Sequence, residues 1–392
     1  MTGSHGRIYL DHNATAPLLP EAREALLRAL DLSANPSSVH REGRAARRLV
    51  EDARDAVGAL AGVAAECVVF ASGATEAGAT CLGADWVVNG EAASVSRLAV
   101  LAGDHPATRL GGQFDPARVS VLPVGPDGTI DLAALDAWLD SLGADEHGLV
   151  AVGLANGETG VVQPAAEIGS RLAGRRALFV LDAAQAIGRI DCRLDSLGAD
   201  ALILSGHKLG AAQGVGAIVL RDESTRPTPL VRGGGQQKGR RGGTEPVALI
   251  ASLGAAARMA ADAAAEITRQ RSLRDGFESL VAASVPEARV IGADARERLP
   301  NTIFLHHPAI RSDTAQIALD LAGFAVSSGS ACSSGKVSRS EALAAMAEAG
   351  LDVDPAVGAL RISIGRATRQ VDLDAFRSRY AALAGRGARA AA

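Results

Sequence analysis

LFVLDAAQAIGRIDCRLDSLGADALILSGHKL, residues 178–209, decides the fold. It holds two short apolar runs, residues 177–181 and 201–204. Neither alternates with polar residues, so each reads as a strand covered on both faces, as in a parallel sheet. The first run ends at Asp182, with Gln185 three residues on; the second ends at Ser205-Gly206-His207-Lys208. Similar runs lie at 67–71, 98–101, 119–122, 149–155 and 216–220, with amphipathic stretches at 132–142 and 165–172 between them. Strand–helix–strand repetition predicts an α/β fold, a three-layer mainly parallel sheet with helices on both faces.

Beyond Gly242-Gly243 the pattern changes. Residues 246–280 read as one long Ala-rich helix bridging to a smaller α/β unit. That unit has strands at 302–305 and 360–364 and helices at 314–321, 338–349 and 373–383, followed by a frayed tail at 385–392. The expected division is a large domain at 15–255 and a small domain formed by 1–14 and 256–392.

Composition narrows the function. The chain has 392 residues, 47% hydrophobic and 21% charged, and a net charge of -4. This is ordinary globular chemistry, and it argues against a dedicated nucleic-acid binder, which favours a basic face. No apolar run approaches the roughly 18 residues of a membrane span, so no membrane association is expected. Cys67, Cys81, Cys192 and Cys332 form no C-x-x-C pair. No disulfide framework and no metal site is expected, and reduced thiols suit the cytoplasm. Adjacent His306 and His307 point to opposite faces of a strand and read as a solvated strand end.

In an open parallel sheet, ligands gather outside the carboxyl ends of the strands. Asp182 and Lys208 both fall there. An acid and a lysine so placed suit pyridoxal phosphate, whose ring nitrogen needs a carboxylate and whose aldehyde bonds a lysine. Ser72-Gly73-Ala74-Thr75-Glu76 opens a helix after a strand, which aims backbone N–H groups at an anion such as a phosphate. Among the cysteines, Cys332 stands in Ser-Ser-Gly-Ser-Ala-Cys-Ser-Ser-Gly, a setting with little to bury it, and reads as the reactive thiol. The other three read as small buried hydrophobes.

These segments, in order, resemble the cysteine desulfurases of the class V aminotransferase family. The resemblance runs through YLDHNATAP (9–17), NPSSVHREG (35–43), FASGATEA (70–77), DHPA (104–107) and ANGETG (155–160). It continues through LDAAQ (181–185), SGHK (205–208), GGGQQKGRRGGTE (233–245), SSGSACSSG (327–335) and LRISIGRAT (360–368). It implies a pyridoxal-phosphate-dependent transferase of fold-type I, acting on L-cysteine and giving L-alanine with sulfur left as a persulfide on Cys332. It implies Lys208 as the Schiff-base lysine and general base, Asp182 at the pyridine nitrogen and Gln185 at the phenolic oxygen. Ala74, Thr75, Ser205 and His207 match phosphate contacts, and Thr244 one that crosses from the second subunit of a homodimer. His105 matches a residue stacked on the ring, and Asn156 and Arg361 the pair holding the substrate carboxylate. The Ser/Gly-rich form of the Cys332 segment resembles the group serving iron–sulfur assembly, so a sulfur-acceptor protein such as an iron–sulfur scaffold is the expected partner.

Several positions depart from the family pattern: Gly78-Ala79, Gly157, Gly242-Gly243 and His12. None removes a reacting group. The rival readings are a selenocysteine lyase, another class V enzyme, and a sulfur-relay or scaffold protein without catalysis. A phosphate-loop nucleotidase fails on spacing at Gly329–Lys336 and on Val337 where a hydroxyl is needed.

Overall fold

The computed structural model describes residues 6–329 and 339–391, with side chains through residue 385. Cys332 lies outside the described residues.

The strands in chain order are β1 (Ile8–Tyr9), β2 (Val68–Ala71), β3 (Asp85–Val88), β4 (Glu91–Leu101) and β5 (Val119–Leu122). Next come β6 (His147–Gly153), β7 (Ala177–Asp182), β8 (Ala201–Ser205), β9 (Gly216–Leu220) and β10 (Arg226–Pro227). The last are β11 (Arg289–Val290), β12 (Thr302–His306), β13 (Phe324–Ala325), β14 (Ser327–Ser328) and β15 (Ala359–Ser363). Nine form a large sheet in the order β10-β3-β4-β6-β7-β8-β9-β2, with β5 beside β4. The run β5, β4, β6, β7, β8 is parallel throughout. Only β3 and β9 run against the common direction among the described strands. A short link joins Ser205 to Gly216, too short for a parallel crossover, so β9 returns antiparallel to β8.

The all-apolar central strands bury both faces. In β7, Phe179 and Leu181 enter one core while Leu178 and Val180 enter the other. In β8, Leu202 and Leu204 oppose Ala201 and Ile203 in the same way. Each such leucine stabilises the fold by about 1.5–3 kcal/mol relative to exposure. Polar residues are thereby pushed to the strand ends, where Asp182 and the Ser205–Lys208 turn sit.

A second sheet, in the order β11-β12-β15-β14, carries its own core around Ile303, Leu305, Ile362 and Phe376. The chain's beginning joins it: β1 pairs with β13, and the Asp11 backbone bridges Ser363.

The structure corrects several expectations. Residues 246–280 are not one helix but two, Val247–Ala261 and Ala264–Ser284, bent by 73°. Leu253 and Ala257 pack in the large-sheet core, whereas Phe277 and Val281 pack in the small one. One straight helix cannot serve both directions, and packing overrides an unbroken helical composition. The tail continues as helix to Ala391, consistent with its Ala- and Arg-rich, proline-free sequence. His306 and His307 are buried at 3% and 4% exposure, not solvated. The end of β12 is covered by β11 and β15, and His306 Nδ1 lies 2.8 Å from the Gly358 carbonyl. Cys67 falls in a turn, Ala65–Cys67, just ahead of its strand. Cys67, Cys81 and Cys192 are all buried.

Candidate active site

A cleft of about 620 Å³ opens at the carboxyl ends of the central strands. Ala74, Thr75, His105, Asn156, Asp182, Gln185, Ser205, His207, Lys208 and Arg361 all line it. Of the remaining residues singled out by sequence, Thr244 is exposed and does not line it, and Cys332 lies outside the described residues.

The anion end is built from backbone. Gly73 precedes the helix Ala74–Cys81, whose first turn leaves N–H groups without intrahelical partners. β9 must pass close to this turn. A Cβ on Gly216 would come within 2.7 Å of the Gly73 Cα, so glycine is required there by close approach. The Glu76 carboxylate accepts the Ser72 N–H at 2.9 Å and pairs with Arg241 at 2.9 Å. Burial opposes ionisation of Glu76, but its bonds from Arg241 and Ser72 prevail and hold its carboxyl below the usual range.

Lys208 sits in a one-turn helix, Gly206–Leu209, ended by Gly210 in the left-handed region (φ 95°). His207 Nδ1 lies 3.1 Å from the Thr15 hydroxyl, and burial, then Lys208, lowers its pKa. Asp182 Oδ1 accepts the Ala184 N–H at 2.9 Å. His105 Nδ1 accepts the Ala107 N–H at 3.1 Å, which leaves Nε2 as the protonated nitrogen of a neutral ring.

The opposite end holds a guanidinium. Arg361, on β15, is 3% exposed. Its Nη2 donates to Asp11 Oδ1 at 2.9 Å and to the Ser327 hydroxyl at 3.1 Å, and its Nη1 donates to the Gly157 carbonyl at 3.1 Å. Its Nε–H is buried with no partner among the described residues. Arg361 lines the cleft, and a substrate carboxylate fits the charge and planar fork of its guanidinium. Asn156 is mostly committed to its own turn: its Oδ1 accepts from Glu158 and Thr159, and its Nδ2 donates to Gly103. One amide hydrogen of Asn156 remains for a ligand.

Sequence reasoning did not single out four groups that shape the cleft. Asp104 is buried beneath it, accepting the Gly153 N–H at 2.7 Å. Burial, with Asp182 adding to it, pushes the Asp104 pKa up to about 7. Glu158 is buried, raised by burial, and accepts the Ser340 hydroxyl. Asp11 holds Arg361, and Arg189 holds Gln185, Nη1 to Oε1, at 2.7 Å. Asp11, Asp104 and Glu158 stood within quoted motifs and Arg189 within the opening stretch, but Asp11 and Arg189 reach their partners only through the fold.

The donor set fits pyridoxal phosphate: an amine at Lys208, a carboxylate at Asp182, helix N–H groups for a phosphate, and a buried guanidinium for the substrate. Among the described residues no group of three or more His, Cys, Asp or Glu is placed to hold a metal.

Comparisons with known proteins identify the family. A cysteine desulfurase of Trichormus azollae is 37% identical over 372 residues, covering 94% of this chain and 90% of that protein. A NifS-like protein from Rickettsia africae superposes with a TM-score of 0.83 at 29% identity, covering 95% of this chain and 98% of that one. A protein named SspA, solved in complex with cysteine, gives a TM-score of 0.72 at 25% identity, covering 91% and 98% of the two chains. The sequence pattern of the aminotransferase class-V family matches residues 8–376, and the chain belongs to that pyridoxal-phosphate-dependent family.

Proposed function

We propose that this chain is a cysteine desulfurase: it converts L-cysteine to L-alanine and takes the sulfur as a persulfide on Cys332. The observation that carries the reading is that one cleft is lined by Lys208, Asp182 and the side chain of Arg361. It calls for a small substrate with a carboxylate at one end and an amine near the lysine.

When bound, pyridoxal phosphate supplies an electron sink for bond breaking next to the amine-bearing carbon. Asp182, Gln185, Ser205, His207 and the Ala74–Thr75 turn hold it, and Lys208 anchors it. Arg361 and the remaining amide hydrogen of Asn156 orient the substrate carboxylate. Freed when the substrate amine takes its place, the Lys208 amine takes the proton from Cα and returns it there after the sulfur has left. The Cys332 thiolate attacks the substrate sulfur; the S–S bond forms, the Cβ–S bond breaks, and its electron pair stays on Cβ. Protonation of Cβ completes the methyl group of alanine, and the neutral His105 ring, with its proton on Nε2, can relay that proton. The persulfide sulfur then passes to the thiol of an acceptor protein by exchange chemistry. The acceptor is taken to be an iron–sulfur scaffold, and the setting the cytoplasm, where thiols stay reduced. The exposed position of Thr244, off its own chain's cleft, supports a homodimer in which it serves the second cleft.

The test is alanine formation from L-cysteine, wild type against Cys332→Ala. The wild type should release alanine and carry a sulfur adduct on Cys332 detectable by mass spectrometry. The variant should keep the cofactor's visible absorption and lose at least a hundredfold in alanine output, on the order of what removing a reacting nucleophile does. Undiminished alanine from the variant would sink the assignment.

A further inference from the structure

Gln185 is a cleft amide whose two ends are both fixed by neighbours. Its Nε2 donates to the Asn13 carbonyl at 3.0 Å. Its Oε1 accepts from Arg189 Nη1 at 2.7 Å. A primary amide carries two N–H donors. With its oxygen turned to Arg189 and one hydrogen given to Asn13, Gln185 has its second N–H left for the cleft. A flipped amide would set an N–H against a guanidinium that can only donate, so Arg189 forbids the flip.

Arg189 does more than hold one oxygen. Nη1 also donates to the Gln185 carbonyl and to Asn13 Oδ1, both at 3.1 Å, and Nη2 points to the His12 and Lys208 carbonyls at 3.5 and 3.4 Å. Every one of these acceptors is a neutral oxygen. One side chain thus ties the turn after β7, the turn carrying Lys208, and the lead-in at residues 12–13. Asn13 in turn donates to the Thr302 hydroxyl at 2.8 Å, on the small sheet. Desolvation, then the nearby Arg361, draws the Arg189 pKa down to about 10, still charged at neutral pH. Among the described residues the titratable and charged groups acting with it are His12 and Arg361, while Lys208 meets it through its backbone carbonyl.

We propose that Arg189 is a positioning residue of the cofactor site: it locks the Gln185 amide with its N–H toward the bound cofactor and braces the backbone of Lys208. The donor this creates suits the ring's anionic phenolic oxygen, the acceptor on pyridoxal phosphate that a fixed N–H would hold in its deprotonated form. The inference rests on the pyridoxal-phosphate reading of the cleft, but not on cysteine as the substrate.

The experiment is a pH titration of the visible absorption of the lysine-linked cofactor, with no amino acid present. In Arg189→Met the midpoint should rise by about one to two pH units, the size of one lost hydrogen bond to a charged group. Arg189→Lys, which keeps a cation and a donor, should recover most of the shift. Gln185→Ala should raise the midpoint similarly, and adding Arg189→Met to it should add little, because the two act through one contact. If Arg189→Met does not fold, Arg189→Gln takes its place, since its amide ends two bonds short of the arginine's reach. An unchanged midpoint in the Arg189 variant, or shifts that sum in the double variant, overturns the proposal. A wild type that shows no visible band with added pyridoxal phosphate overturns the cofactor reading itself, and this proposal with it.

Discussion

Arg361 owes its orientation to Asp11, a residue some 350 positions away in the chain. The carboxylate accepts from Nη2 and also receives the Ser327 hydroxyl at 2.9 Å from both oxygens. The pair is buried, with side chains 4% and 17% exposed. Removing the anion strands a buried guanidinium. Asp11→Ala should therefore cost about 3–5 kcal/mol in urea unfolding at neutral pH, and a loss under 1 kcal/mol would show that Ser327 and Gly157 suffice. The cysteines give a second prediction at this scale. Burial raises the thiol pKa of Cys67, Cys81 and Cys192, so none presents a reactive thiolate. Alkylation of the native protein at pH 8 followed by peptide mass spectrometry should leave these three unmodified. Labelling of any of them before unfolding would contradict their role as core filler. Gly157, a departure from the family pattern, also gains a meaning here. A Cβ on it would meet Gln185 Nε2 at 3.0 Å, while its carbonyl accepts from both Arg361 and Asn13.

At the scale of elements, the site depends on how closely β9 approaches the turn before the helix Ala74–Cys81. Gly216 pairs with Ser205 on β8 and with Ala71 on β2, so its neighbours are backbone on both sides. A Cβ would stand 2.6 Å from the Leu204 carbonyl and 2.7 Å from the Gly73 Cα. Backbone cannot yield as a flexible side chain can. Gly216→Ala should cost about 1–3 kcal/mol of stability and, by pushing the Gly73 turn outward, weaken pyridoxal phosphate binding about tenfold. Equilibrium unfolding and cofactor titration check the two together, and a variant with unchanged cofactor affinity would show that the turn does not depend on this contact. The strands themselves were legible in the sequence because buried parallel strands are apolar on both faces, as in β6, β7 and β8. The strand β3 and the first half of β4 were not legible: they form an antiparallel edge whose burial is mixed, leaving no long apolar run. The helix break at residues 262–263 was also hidden, since nothing local marks it and only the two cores beyond it require it.

For the whole molecule, legibility divides by distance. Asp182 and Lys208 could be placed at strand ends because each follows its own strand directly. The Asn13–Arg189–Gln185 and Asp11–Arg361 contacts join the chain's beginning to both sheets, and no local pattern announces them. Burial at this junction also sets how stability responds to pH, through two groups of opposite sign. Asp104 titrates at about 7 in the folded chain against 3.8 unfolded, because burial favours its neutral form. Below about pH 4 it is neutral in both states and costs nothing. As pH rises to about 7 the unfolded chain sheds this proton first, and the folded state loses on the order of 4 kcal/mol, a ceiling set by the size of the shift. His12 works the other way. Burial, then Arg189, lowers it to about 4 from 6.5, so the folded state gains as pH rises through that window. The two slopes oppose each other and flatten the wild-type profile. Asp104→Asn removes the first while its amide oxygen still accepts the Gly153 N–H. Urea unfolding of the cofactor-free protein at pH 5 and pH 8 should show the variant gaining on the wild type as pH rises, by a few kcal/mol in all. The difference cancels every other titrating group common to both proteins. Parallel stability curves for the two proteins would mean that burial does not raise the Asp104 pKa in the folded state.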